Sequence, residues 1–484
     1  MRTYEELTGG FGQAIAFRAR RQLASELLRE QASVIVIDDE SFQLYDMAMN
    51  GVSFLAPPEA PPWQVDDVLE VDIRVHDTSA YRGRVRVARE ERVYGQRRVG
   101  LQLLTGFLDL HEMQRLDEEQ ALLHDLIDGP ERIVARIPAA YRDALLAAVH
   151  FAAFYQRILD YHEARLQDAH ALAEEREALA RRAIVAIRPR WHTLRLAAAE
   201  AALAVRGDRP ALLAAKTATE TLLTPLVIAA PVLHRSYHKP LGYAGDFSVM
   251  LHIYNNRFEG TTAFAQVFHK LACEEPLSAG VRTRKDLVKR VTAEEHARAR
   301  AAGHVLRALS LGCGPAREVV EYLAEGDAPP EGVHWTLIDQ EEKALSVAYH
   351  DVLRGIDQRQ ANCTVQCLYL SFEQLIRDPL AVRGEPQDLI YCVGMFDYLN
   401  RRRAQALLMA LYERLSSGGL LVIGNAFGPN MHFWMSEFAV DWTLIFRDRS
   451  ELRQLAESAV SAGAILDIQR ETSEAYDFLL LRKP

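Results

Sequence analysis

From Val305 onward the chain alternates between short apolar runs and helical segments, and this alternation constrains the fold more than any other feature. The runs are "HVLRALSLGCG", "HWTLID", "TVQCLYL", "QDLIYCVG" and "GGLLVIGNA". Each reads as a buried strand, and helical text between them is the order of a parallel doubly wound sheet. The last two runs, "AILDIQRE" and "YDFLLLRKP", follow each other too closely for a crossover helix. They read as an antiparallel pair at the sheet edge.

The rest of the chain has a different texture. Between Ala32 and Leu104, runs such as "SVIVID", "GVSFLAP", "VLEVDIRV" and "RVGLQLL" are rich in Val, Ile and Leu, with turn residues at close intervals. Closely spaced strands without helices between them predict a small β-barrel. From Leu108 to about Pro231 the text is Ala- and Leu-rich with apolar residues at helical spacing, and Pro138, Pro189 and Pro210 mark helix starts or breaks. This helical stretch is long enough to be a spacer, a hairpin or a dimerising helix. The expected organisation is therefore 1–107, 108–230 and 231–484, and 484 residues exceed one ordinary core. A net charge of -10 argues against a general nucleic-acid binder. No window of about twenty apolar residues predicts a membrane span. The charged N-terminal text and only five cysteines make the cytoplasm the expected location.

One turn carries chemistry. "LSLGCGPAREV" places Gly312 and Gly314 directly after an apolar strand and just ahead of a helix, where a ligand can approach the backbone and meet helix N–H groups. The next strand ends in Asp339, about twenty-five residues on, where an acid accepts hydrogen bonds from a ribose diol. Arg317 stands where the third glycine of a dinucleotide fingerprint would fall, so a pyrophosphate-binding dehydrogenase is the lesser choice.

In their order and spacing, "LSLGCGPAREV", "LIDQ", "DLIYCVGMFDYL" and "LSSGGLLVIGN" resemble a class I S-adenosylmethionine-dependent methyltransferase, over roughly residues 231 to 484. The resemblance implies a multidomain chain whose last part is an α/β doubly wound, Rossmann-like sheet closed by the antiparallel pair. It implies that Leu311, Gly312, Cys313 and Gly314 hold the methionine end of S-adenosylmethionine and that Asp339 holds its ribose. Ser371 and Phe372 would flank the adenine. Gly394, Phe396, Asp397, Tyr398 and the stretch Asn425 to Phe427 would line the methyl-transfer side. More narrowly, "HKPLGYAGD", "MFDYL" and "NAFGPNMHFWMSEFAVDWTLIFR" look like the methyltransferases that make 3-hydroxypalmitic acid methyl ester, a bacterial signal. The acceptor this implies is a small molecule such as a 3-hydroxy fatty acid; a protein side chain or an aromatic metabolite is the alternative.

"HKPLGYAGD" itself reads as a lid over the cofactor, with Tyr243 on the cofactor or acceptor and Asp246 capping the helix that follows. The plainer reading is that its glycines only turn the chain and Tyr243 is a packed aromatic. A carboxylate acceptor needs no base, only a cation, and Lys239, Arg235 and His238 are nearby. A hydroxyl or amine acceptor would call on Asp397 or a histidine such as His432. Asp441, Trp442 and Arg447 form an acceptor wall or brace it. His234 and His238 have helical ligand spacing, yet no acidic third ligand is evident, so no metal is expected. Cys313, Cys363 and Cys367 read as small buried residues.

"LYDMAMNGVSFLAP" followed by "RRVGLQLL" resembles a PilZ domain, the small barrel that often binds cyclic di-GMP. The family's Asp-x-Ser-x-x-Gly is here Asp46-x-Ala48-x-x-Gly51, and its basic arm is missing: Arg18, Arg20 and Arg21 have the wrong spacing and Arg29 stands alone. Tight cyclic di-GMP binding is therefore not expected. The rival to an enzyme is a non-enzymatic effector signalling through the barrel.

Overall fold

In the computed structural model, which describes residues 22–28, 32–57, 60–93, 96–135, 137–166, 172–325, 330–379, 382, 384–428, 433–457, 459–460 and 463–484, the strand-rich text closes on itself. A short strand β1 (Gln22–Leu23) and helix α1 (Ala24–Leu27) precede β2 (Ser33–Ile37), β3 (Glu40–Ala48), β4 (Gly51–Ala56), β5 (Val68–Val75), β6 (Thr78–Val93) and β7 (Gln96–Leu103). The pairing runs β3-β2-β5-β6-β7-β4, and β4 returns to β3, so six antiparallel strands form a closed barrel with β1 added to β3. Alternation explains the inside: in β2, Ser33, Ile35 and Ile37 are buried while Val34 and Val36 are only partly so. Phe42, Phe54 and Trp63 meet with ring centroids 5.1–5.6 Å apart, filling the barrel with mutual edge and tilted contacts. Asp46 is 6% exposed, its carboxylate 3.8 Å from Arg98, whose guanidinium also lies over Tyr45. The barrel's acid thus has a basic neighbour within the barrel. Arg18, Arg20, Arg21 and Arg29 lie outside the described residues.

The chain divides into two compact units at residues 136–137, and α2 (Leu110–Ala135) belongs with the barrel. The second unit opens with α3 (Ala139–Glu163), α4 (Leu172–Val205), α5 (Arg209–Leu222), α6 (Thr224–Val227), α7 (Pro231–His238), α8 (Phe247–Asn255), α9 (Ala263–Glu274) and α10 (Pro276–Ala301). Pro138 is the residue ahead of α3 and Pro210 lies in the first turn of α5, where a missing N–H costs nothing. Pro189 departs from expectation: it neither starts nor breaks a helix but sits inside α4. The carbonyl it leaves unpaired belongs to Val185, which is 72% exposed, so water can take that bond.

The sheet follows. Strands β8 (Leu306–Leu311), β9 (Glu331–Asp339), β10 (Asn362–Tyr369), β11 (Gln387–Cys392) and β12 (Leu415–Ala426) are parallel. They alternate with α11 (Arg317–Ala324), α12 (Glu342–Arg359), α13 (Phe372–Arg377) and α14 (Arg401–Glu413). After α15 (Arg449–Glu457) come β13 (Ile465–Arg470) and β14 (Tyr476–Arg482), and the order is β10-β9-β8-β11-β12-β14-β13. The predicted antiparallel closing pair is present, with β14 antiparallel to both neighbours. Helices cover both faces. Leu306, Ala308, Leu389 and Tyr391 point to a core shared with α10, α11 and α12, while Leu309, Leu311, Ile390 and Cys392 point to one shared with α13, α14 and α15.

Candidate functional site

Strands β8, β9 and β10 step outward in one direction, and β11 then joins the other side of β8. Two chain segments therefore leave the carboxyl edge in opposite directions between β8 and β11, opening the crevice where ligands enter such sheets. The glycine turn after β8 and Gly394 after β11 flank that crevice.

The turn is built for close approach. Gly312 and Cys313 both donate their N–H to the Ile338 carbonyl, at 2.8 and 3.0 Å, which ties the end of β8 to β9. Gly312 (φ 65) and Gly314 (φ 50) are left-handed, a conformation that disfavours a side chain. A Cβ on Gly314 would meet no atom within 4 Å, so the space above the turn is open. Asp339, 8% exposed, accepts the Gly314 N–H at 2.8 Å on one oxygen and the Glu341 N–H at 3.0 Å on the other. Burial raises its pKa, and the N–H bonds from Gly314 and Glu341 oppose that rise. The Gln340 N–H is a third backbone donor to this carboxylate, which leaves acceptor capacity for a further donor. Glu341 is pushed up to about 7 by burial and by the neighbouring charges of Asp339 and Asp246. Tyr369 pairs with Asp339 across the β10–β9 ladder, which brings Ser371 close to the same edge. Ser371 caps α13 in a reciprocal box with Gln374, and Phe372 is buried in the core below.

On the β11 side the sequence-predicted residues form a braced wall. Asp397, 2% exposed, accepts the Ala426 N–H, and its own carbonyl accepts from Ile445 at 2.6 Å. Burial pushes its carboxyl up to about 6, against the pull of the Ala426 N–H and of Arg284 and Arg447. Arg447 donates to Asn425 Oδ1 at 2.6 Å, to the Phe396 carbonyl at 2.7 Å and to the Leu399 carbonyl. Asn425 and Phe396 are fully buried, so in this network they hold the wall rather than face open space. Trp442 Nε1 donates to the Tyr398 hydroxyl at 2.8 Å.

The loop of Lys239 to Asp246 lies on this wall. A Cβ on Gly245 would fall 2.6 Å from Trp442 and 2.7 Å from the Tyr398 hydroxyl. Lys239, left-handed at φ 46 as the C-cap of α7, reaches Asp441 at 2.6 Å. Asp246 caps α8 through the Ser248 and Val249 N–H groups and also pairs with Arg235 at 2.7 Å. Tyr243 is half-buried, and His238 is exposed with its ring 4.3 Å from His234. Two of the three cations proposed for an acceptor carboxylate, Lys239 and Arg235, thus already carry acidic partners. His432 lies outside the described residues.

Sequence reasoning missed Arg284 on α10, a 7%-exposed guanidinium beside Gly394. The available signal was an arginine occupying a position in the helix's apolar stripe. Elsewhere His252, Glu259 and His269 bring three potential ligand atoms within 4.8 Å. His269 Nδ1 accepts the Val232 N–H in the first turn of α7, and burial pushes its pKa down to about 3, as for a neutral helix cap.

No family model matches the chain, and no curated protein does. Among solved structures, a possible exported protein from Bordetella parapertussis is 16% identical, over 52% of this chain and 86% of its own, with a TM-score of 0.39. The magnesium protoporphyrin IX methyltransferase of Synechocystis PCC 6803, solved with bound SAH, is 12% identical over 50% and 96%, with a TM-score of 0.34. The N-methyltransferase NodS of Bradyrhizobium japonicum WM9, in complex with S-adenosyl-l-homocysteine, is 16% identical over 44% and 89%, with a TM-score of 0.29.

Proposed function

We propose that the second unit is an S-adenosylmethionine-dependent methyltransferase acting on a small molecule with an apolar body and a carboxylate or hydroxyl as acceptor. The observation that carries this reading is the pairing of Gly314, beside the topological switch point, with Asp339 at the end of the next strand. A buried carboxylate oriented by backbone N–H groups suits a ribose diol, and the open space over Gly314 suits the methionine end of the same nucleoside. When bound, S-adenosylmethionine supplies a methyl group already activated on a sulfonium. The chain's task is then to position the acceptor and exclude water. The Trp442–Tyr398 wall and the loop packed on it through Gly245 would do both.

An apolar cavity supports the acceptor assignment. It encloses about 60 Å³ and is lined by Trp191, Phe268, Val281, Val440, Trp442 and Tyr476, among others. Trp442 belongs to both the cavity and the wall, so an acceptor body placed there has its polar end near Tyr398. A 3-hydroxy fatty acid is one such acceptor, by the resemblance of the loop and wall motifs.

Calorimetric titration with S-adenosylhomocysteine tests the cofactor. The wild type should bind, and Asp339→Ala should weaken binding by about 1–3 kcal/mol. No heat with the wild-type protein would overturn the reading.

A further inference from the structure

The inward face of α10 repeats at helical spacing through Leu277, Val281, Arg284, Val288 and Val291, apolar but for the arginine. The Arg284 guanidinium lies 5.4 Å from the Tyr476 ring. It also stands so close to Gly394 that a Cβ there would fall 3.2 Å from Nη2. Nη2 points to Met250 Sδ at 3.6 Å, the Tyr254 hydroxyl is a further partner, and the buried Nε has none. Among the described residues no carboxylate is within ion-pair distance of it. The acids whose charge it feels are otherwise engaged: Asp397 with the Ala426 N–H, Glu318 with the Tyr391 hydroxyl at 3.0 Å. A guanidinium held out of water without a counter-ion is costly, and its planar fork matches a carboxylate.

The neighbouring turn of the same helix face indicates what brings that carboxylate. Leu277, Ser278 and Val281 line the apolar cavity, and Tyr476 both lines it and lies against the guanidinium. The ring of Tyr476 thus stands between the apolar space and a buried cation that has no carboxylate within ion-pair distance among the described residues. An acid with an apolar body would reach both by passing the Tyr476 ring.

We infer that Arg284 is the carboxylate receptor of this site, holding the acid group of the acceptor while the apolar body occupies the cavity. The inference rests on the methyltransferase reading for its view of the reaction centre. The same chemistry has a second source, the carboxylate at the methionine end of the cofactor, and the experiment separates the two.

The full-length protein is titrated with two acids and their neutral counterparts: decanoate against decanamide, and S-adenosylhomocysteine against its decarboxylated analogue. The wild type should favour decanoate over decanamide by about tenfold or more, and Arg284→Met should abolish that preference. If the preference abolished is instead that for S-adenosylhomocysteine, the cofactor supplies the carboxylate and the acceptor assignment is overturned. If the wild type prefers neither acid, or Arg284→Met retains every preference, the inference is overturned. Should Arg284→Met fail to melt cooperatively, Arg284→Lys takes its place. It keeps the charge but loses the two-pronged contact, and an acid preference equal to the wild type's would be equally fatal. A wild type that binds no S-adenosylhomocysteine would sink the methyltransferase reading, leaving the decanoate pair to decide Arg284 alone.

Discussion

Gly245→Ala tests whether the loop is packed on the wall. Gly245 is not among the left-handed glycines, so its backbone tolerates alanine and only space forbids it. The new Cβ would lie 2.6 Å from Trp442 Cζ2, where carbon atoms rest at about 3.5–4.0 Å, so roughly 1 Å of displacement is needed. Trp442 is not free to yield, because its Nε1 is bonded to the Tyr398 hydroxyl, itself 2.7 Å from the same Cβ. Overpacking costs about 1–3 kcal/mol and losing the Trp442–Tyr398 bond about 1 kcal/mol more, so the substitution should cost about 2–4 kcal/mol. Urea unfolding measures this as a lower midpoint at unchanged slope. Gly207→Ala is the control, since a Cβ there meets nothing within 4 Å, and it should change stability by less than about 0.5 kcal/mol. If Gly245→Ala unfolds at the wild-type midpoint, the loop does not pack as described, and its part in covering the site falls with it.

Other expectations follow from the same geometry. Glu341 has a folded-state pKa raised from 4.5 to about 7, so its protonated form favours the fold; that stability is full below the unfolded value and is lost as pH rises through about 7. Glu341→Gln should therefore be neutral near pH 4 and stabilising by about 1 kcal/mol near pH 8 after solvent screening, which urea melts at the two pH values will read. Lys239→Ala breaks a partly exposed ion pair with Asp441 and should cost no more than about 1 kcal/mol, an effect that high salt removes from the wild type. Tyr243→Ala should lower single-turnover methyl transfer far more than it lowers Tm; unchanged turnover with a lower Tm would make Tyr243 a packing residue. Cyclic di-GMP should show no submicromolar binding in a fluorescent-ligand titration, since Ala48 stands where the PilZ pattern has serine.

The sheet was legible because central strands buried on both faces must be mostly apolar, as Leu306–Leu311 and Leu420–Ile423 are. The edge strand β10 carries Thr364 and Gln366 among its apolar residues. The glycine turn and Asp339 were legible for a local reason: left-handed backbone needs glycine, and the acid follows by the length of one strand–helix–strand step. Partnerships over long sequence separation were not. Lys239 and Asp441 are 202 residues apart, and only the fold brings the cation to a carboxylate that occupies it. Phe396 and Asn425 sat in the right motifs, yet sequence alone does not separate a residue facing the crevice from one buried behind it. Arg284 was hidden by its surroundings, a helix rich in Arg and Lys, although its place in the apolar stripe set it apart. Pro189 was misread because the penalty for an interior proline depends on whether water reaches the orphaned carbonyl, which is a tertiary fact.

Strand β14 follows the other thirteen described strands in the chain, yet it lies inside the sheet, between β12 and β13. Among the described residues β13 pairs only with β14, so it has no place to dock until its successor arrives. A nascent chain ending before Tyr476 holds the glycine turn, Asp339 and Arg284, but the apolar edge of β12 from Leu420 to Ile423 is unpaired. The aromatic ring under the guanidinium is missing as well, and α10 lacks the ring that would press within 2.7 Å of a Cβ on Gly280. This side of the sheet is therefore completed in one late step rather than strand by strand. Until then the growing chain presents a sticky edge that calls for chaperone cover.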